Sequence, residues 1–186
     1  MEWAYTQICA VLWFAWVVSW NLAAFWRDRS SVEAPRNDYR GYFFVVVLGF
    51  MLTFGVFGWF SPPLWHVGRG LGRAMVALTA GALLFTWWAR LHMGRLWHGG
   101  VSRTERHRVI QSGPFALVRH PIYTGLITGV AAMAVLQARP LAFLGAGLFA
   151  LGFILKARLE ERFLEPELPD YGDYRRRVRM IVPFVI

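Results

Sequence analysis

From Trp3 to Trp26 the chain carries no charged residue. A helix of that length, at about 1.5 Å per residue, reaches about 36 Å and crosses a hydrocarbon core of about 30 Å with tilt. The pattern recurs. Gly41–Phe60 is uncharged, Leu71–Ala89 holds only Arg73, and Ile122–Leu155 is interrupted only by Gln137, Arg139 and Pro140. Within lipid the backbone must satisfy its own hydrogen bonds, which selects helices. A cleavable signal does not fit the first run, because Glu2 stands where a basic flank belongs and the run is too long. Pro140 cannot continue a helix interior, so the last stretch predicts two short helices, Ile122–Ala138 and Pro140–Leu155, in a tight hairpin. The expected fold is all-α: a polytopic membrane helical bundle of about five transmembrane helices, ending in a C-terminal tail. It forms one unit over residues 1–186, with three N-terminal helices in 1–90 and a loop, the hairpin and the tail in 91–186.

The charges sharpen this picture. The chain is 56% hydrophobic yet has a net charge of +9, and its basic residues are bunched between the apolar runs. Arg27, Arg29, Arg36 and Arg40 follow the first run. Arg90, Arg95, Arg103, Arg106, Arg108 and Arg119 follow the third, and seven more lie from Lys156 to Arg179. Only Arg69, Arg73 and Arg139 fall elsewhere. With five spans the three rich segments share one side, which the positive-inside rule makes cytoplasmic, leaving the N-terminus outside. This accounts for the basic balance without nucleic acid. Arginine outnumbers lysine 19 to 1, a bias that points to a prokaryotic plasma membrane.

Several chemistries find no footing. Cys9 is the single cysteine, so one chain forms neither a disulfide nor a thiolate metal site. His66, His92, His98, His107 and His120 lack ligand spacing, and no metal is expected. There is no glycine-rich phosphate loop and no nucleophile elbow. The polar residues inside the runs, such as Thr6, Gln7, Asn21, Thr79 and Thr86, are not ionisable, which argues against a pump or ion carrier. Gly125 and Gly129, and Ala142, Ala146 and Ala150, are spaced for close helix packing.

The remaining polar material lies in Leu91–Pro121 and Ala157–Ile186, which the charge argument places on one side. Pro121 suits the first position of a helix, whose N-terminus could face an anion with Arg119 as a clamp. The plainer reading is an interfacial arginine before an ordinary helix start. Glu160 and Glu161 follow an apolar helix. On a helical surface Lys156–Glu160 and Arg158–Glu161 could pair as a solvated face, or one carboxylate could meet a cationic ligand.

These two segments resemble the isoprenylcysteine carboxyl methyltransferase family of integral membrane enzymes, in its small prokaryotic form. The resemblance rests on Gly113-Pro114-Phe115, on Arg119-His120-Pro121-Ile122-Tyr123-Thr124-Gly125, and on the tail. The tail elements are Arg158-Leu159-Glu160-Glu161, Leu164, Tyr171, Tyr174, Val178 and Ile181-Val182-Pro183. One departure is Leu168-Pro169 before Asp170, where the family commonly has Phe-Gly before the first tail tyrosine.

The resemblance implies S-adenosylmethionine as cofactor, bound by Gly113, Pro114, Val118, His120, Tyr123, Gly125, Glu160 and Glu161, in a cytoplasmic pocket closed by the tail. It implies a lipophilic or lipid-modified acceptor entering from the bilayer, with a carboxylate favoured. Arg119 is then the candidate cation for that carboxylate, and Glu160 the candidate base for an amine or hydroxyl acceptor. Phospholipid amine N-methylation, an NADPH-dependent membrane reductase and a non-enzymatic scaffold are the alternatives. Ile122 stands where reductases typically carry Asn.

Overall fold

A computed structural model describes residues 2–23, 25, 32–33, 37–55, 62–94, 102–103, 110–166 and 170–182. The described residues form six helices: α1 (Glu2–Ala23), α2 (Asn37–Thr53), α3 (Arg69–Met93), α4 (Pro121–Gln137), α5 (Pro140–Leu164) and the short α6 (Tyr171–Arg177). A 3-10 turn, Gly113–Ala116, precedes α4. The expected ends of the first two runs at Trp26 and Phe60, the histidines at 98 and 107, and Leu168-Pro169 and Pro183 lie outside the described residues.

Three helices, α1, α3 and α5, are long and apolar enough to cross a membrane. The apolar part of α2 (Gly41–Thr53) and α4 are shorter. The expected break at Leu155 does not occur, and α5 runs on to Leu164 over 25 residues. The segment from Lys156 to Leu164 is charged but built of good helix formers, so the helix outlasts its apolar run. The hairpin itself is as expected. Pro140 starts α5 at its first position and Arg139 is extended (φ −121°, ψ 140°), as a residue before proline must be. The reversal therefore falls on Ala138, which caps α4 in the left-handed region at φ 51°.

Two glycine seams set the packing. A Cβ on Gly145 of α5 would lie 2.6 Å from the Gly49 carbonyl and from the Thr53 amide and hydroxyl of α2. A Cβ on Gly125 of α4 would lie 2.6 Å from the Ala82 carbonyl of α3. Gly129 instead faces the Trp13 ring of α1. Close backbone approach of this kind is the usual basis of helix association in lipid. Gly145 and Gly152 carry the α2–α5 approach, while Ala142 is buried beside them. The centre is aromatic: Trp13 meets Trp16, Phe50 and Phe54 edge-on at 5.7–5.8 Å.

Val32–Glu33 pairs antiparallel with Ser102–Arg103, so the α1–α2 and α3–α4 connections meet at one end. There the fully buried Arg90 donates to the carbonyls of Ala23 (2.9 Å) and Gly94 (2.7 Å), satisfying helix-terminal acceptors. At the opposite end the Leu64 amide donates to the Ala138 carbonyl at 2.6 Å.

Candidate functional site

The site forms where α4 begins, α5 ends and the tail returns. A helix start leaves amide donors without intrahelical partners. Here the tail binds at the N-cap and the residue before it: the His120 amide donates to the Met180 carbonyl (3.0 Å) and the Arg119 amide to Arg179 (2.8 Å). The Thr124 hydroxyl adds a bond to the Ile181 carbonyl (2.6 Å).

The side chains beneath this strap are buried. Arg119 grips Glu161 with Nε to Oε1 at 2.8 Å and Nη2 to Oε2 at 3.2 Å. Its Nη1 donates to the carbonyls of Arg175 and Val178. The two side chains are only 8% and 6% exposed, so the pair is desolvated, which is tolerated only with such complete bonding. The solvated Arg158–Glu161 pair does not form: Arg158 is exposed, and Glu161 turns inward to Arg119 and to His120 Nε2 (3.1 Å). The Lys156–Glu160 pair does form, at 3.7 Å.

Glu160 accepts the Tyr123 hydroxyl at 2.6 Å and lies 3.5 Å from His120 Nδ1. His120 stacks on the Tyr123 ring, with centroids 5.2 Å apart and planes 6° from parallel. Two carboxylates, an imidazole, a phenol, an ammonium and a guanidinium therefore meet at one end of the bundle.

The tail is anchored by tyrosines. Tyr174 donates to the Phe115 carbonyl at 2.7 Å, fixing α6 to the 3-10 turn. Burial first, and then the Glu161 charge, push the Tyr171 phenol up, and burial does the same for Tyr174 against the opposing Arg119 charge. Both therefore remain protonated donors at neutral pH. Replacing Tyr174 by Phe should leave the Phe115 carbonyl without this donor and cost about 1–3 kcal/mol in thermal unfolding monitored by near-ultraviolet circular dichroism. An unchanged melting temperature would refute the anchor.

The sequence of the segment that carries α4 and α5 decides the family. Residues 74–166 match the profile of the isoprenylcysteine carboxyl methyltransferase family. The chain belongs to this family. A curated relative, the cobalt-zinc-cadmium resistance protein CzcN of Cupriavidus metallidurans, is 30% identical over 147 residues. That alignment covers 74% of this chain and 61% of the relative, so the chain spans about three fifths of the relative's length. Family membership and the three long apolar helices make this a membrane protein.

Against the family's expected positions, the structure brings Arg119, His120, Tyr123, Glu160 and Glu161 into one cluster. Pro114 and Val118 are buried. Gly113 sits nearby at φ 60°, where a Cβ would be 2.8 Å from the His92 ring, so glycine is needed there for both reasons. His92 in turn bonds Ser112 at 2.9 Å. Gly125 lies away from the carboxylates, in the α3 seam. Among the described residues no three His, Cys, Asp or Glu side chains are grouped to hold a metal ion.

Three contributors were not singled out from the sequence: Thr124, Tyr174 as an anchor, and Lys156 beyond its pairing with Glu160. Lys156 had a legible signal. It extends the buried stripe of α5 (Ala142, Gly145, Phe149, Gly152) by one turn, at a position where helical periodicity asks for an apolar residue.

Proposed function

We propose that this chain transfers a methyl group from S-adenosylmethionine to a lipophilic acceptor, with a carboxylate favoured. In this reading α1 to α5 all cross a prokaryotic plasma membrane, with the N-terminus outside and the tail cytoplasmic. The observation that carries the reading is the buried cluster of Glu160, Glu161, His120 and Tyr123 closed by the tail, in a chain of a methyltransferase family.

The donor set suits the cofactor. Carboxylates and aromatic faces attract the amino and sulfonium cations, and the cluster supplies both. When bound, S-adenosylmethionine supplies a methyl group on a good leaving group. The chain's task is then to position and to exclude water. Glu160, oriented by the Tyr123 hydroxyl, sets negative charge beside the stacked His120 and Tyr123 rings. Glu161 holds Arg119, and Arg119 holds the tail across the cytoplasmic opening. On this reading Arg119 serves closure rather than acceptor binding. A carboxylate acceptor needs no general base. The role printed for the relative gives a setting in which to seek the acceptor: membranes of cells exposed to cobalt, zinc or cadmium.

Calorimetric titration of the purified protein with S-adenosylhomocysteine, beside NADPH, tests the reading. Saturable binding of the first alone is expected, weakened about tenfold or more by Glu160→Ala and by His120→Ala. No binding to a folded sample would refute the methyltransferase reading, and NADPH binding would favour a reductase.

A further inference from the structure

We propose that Arg158 and Arg162, on the outer face of α5, form a docking site for the headgroup of an anionic phospholipid, whose acyl chains lie along Leu144, Leu151 and Leu155 of the same face. This surface lies outside the buried cluster and does not depend on the reaction carried out there.

One face of α5 changes character along its length. Leu144, Leu151, Leu155, Arg158 and Arg162 are all exposed. At about 100° per residue they fall within an arc of about 60°, so they form a single stripe. Gly145, Phe149 and Gly152, which pack inward, lie on another face. α5 is long and apolar enough to cross a membrane, so the exposed leucines meet acyl chains. Arg158 and Arg162 stand about 4.5 and 10.5 Å beyond Leu155 at about 1.5 Å per residue, which brackets a headgroup layer about 5–8 Å deep.

A solvated helix end pairs such arginines with a carboxylate one turn away. Here both carboxylates are taken. Glu161, three residues after Arg158, turns inward to Arg119 at 2.8 Å. Glu165, three residues after Arg162, is bound by Arg175 at 2.8 Å. Among the described residues no carboxylate pairs with Arg158 or Arg162. The exposed arginines of α6 differ, since Arg176 pairs with Asp173 and Arg177 donates to Gln111 at 2.7 Å.

The two guanidiniums are four residues apart, a helical spacing at which like charges repel. A phosphate between them removes that repulsion, and a guanidinium can bind it through two parallel N–H···O bonds. A soluble anion would engage the arginines and leave the leucines unused, whereas a phospholipid engages both. A headgroup held there also fixes the turn of α5 whose other side carries Glu160 and Glu161.

The test is native mass spectrometry of the full chain released from detergent micelles that hold equal amounts of phosphatidylglycerol and phosphatidylcholine with identical acyl chains. The wild type should retain phosphatidylglycerol about ten- to thirtyfold more than phosphatidylcholine. Arg158→Gln with Arg162→Gln should lose that preference while keeping its circular dichroism spectrum. Each single glutamine variant should lose part of it, and Arg158→Lys with Arg162→Lys should keep part. Arg176→Gln with Arg177→Gln removes the same charge from a neighbouring surface and should leave the preference intact. The assignment is overturned if the wild type holds the two lipids equally, if a glutamine variant at Arg158 or Arg162 keeps the full preference, or if the α6 substitutions abolish it to the same extent. It is also overturned if glycerol phosphate displaces the lipid at equal concentration, which would make this a site for a soluble phosphate.

Discussion

Glu161→Gln is expected to destabilise the protein by about 3–5 kcal/mol, because it leaves a buried guanidinium without its counter-charge. Glutamine keeps the size and one acceptor oxygen. It removes the negative charge that faces Arg119, His120 Nε2 and, at 3.8 Å, Arg175 Nε, and it turns two new donors toward those groups. Arg119 is 8% exposed in its side chain and cannot turn to water without abandoning the Val178 and Arg175 carbonyls. Loss at Glu161 should therefore reach the tail. Trypsin should cut among Arg175, Arg176, Arg177 and Arg179 faster in the variant than in the wild type, before the helices unfold. Removing both charges, in Arg119→Gln with Glu161→Gln, should recover part of the loss, since paired neutral groups avoid the uncompensated ion. Equal tryptic rates and equal melting temperatures would show that the strap does not depend on this pair.

The same residue shows where the sequence stops being sufficient. Its helical neighbours offered Arg158 at i−3, a pairing worth about 0.2–0.5 kcal/mol on a solvated surface. The structure uses Arg119, 42 positions away, in a bidentate arrangement of the stronger class. Local spacing is visible in one dimension, whereas a partner brought by the α4–α5 hairpin is not. The helices were legible because lipid forces the backbone into them, and uncharged runs mark where. The end of α5 was not, since hydropathy reports the solvent around a helix and not its hydrogen bonds. The ladder between Val32–Glu33 and Ser102–Arg103 joins the α1–α2 and α3–α4 connections, and the tail meets α4 at its start. The motif around Arg119 and His120 falls in the cluster with Glu160 and Glu161, but its backbone partners in the tail, the Arg179 and Met180 carbonyls, had no signal in local spacing.

Gly145→Leu should abolish stable packing of α2 on α5, with a loss at or beyond the upper end of the about 1–3 kcal/mol typical of overpacking. Adding even a Cβ brings carbon to 2.6 Å from the Gly49 carbonyl and the Thr53 amide and hydroxyl, and backbone atoms cannot rotate aside. The whole of α5 would have to move outward. That would carry Phe149 out of the aromatic centre and withdraw Lys156, Glu160 and Glu161 from α4. Helix propensity acts in the other direction, since leucine is favoured over glycine in a helix by up to about 1 kcal/mol. Gly147 supplies the control. It lies two residues along the same helix, exposed, with nothing within 4 Å of a Cβ built there. Gly147→Leu should therefore melt at or above the wild-type temperature, while Gly145→Leu should yield little folded protein and no S-adenosylhomocysteine binding. Because the two substitutions are chemically identical, a difference between them isolates the contact with α2. Equal behaviour would mean that the backbones of α2 and α5 do not approach as closely as the Gly49–Gly145 seam requires.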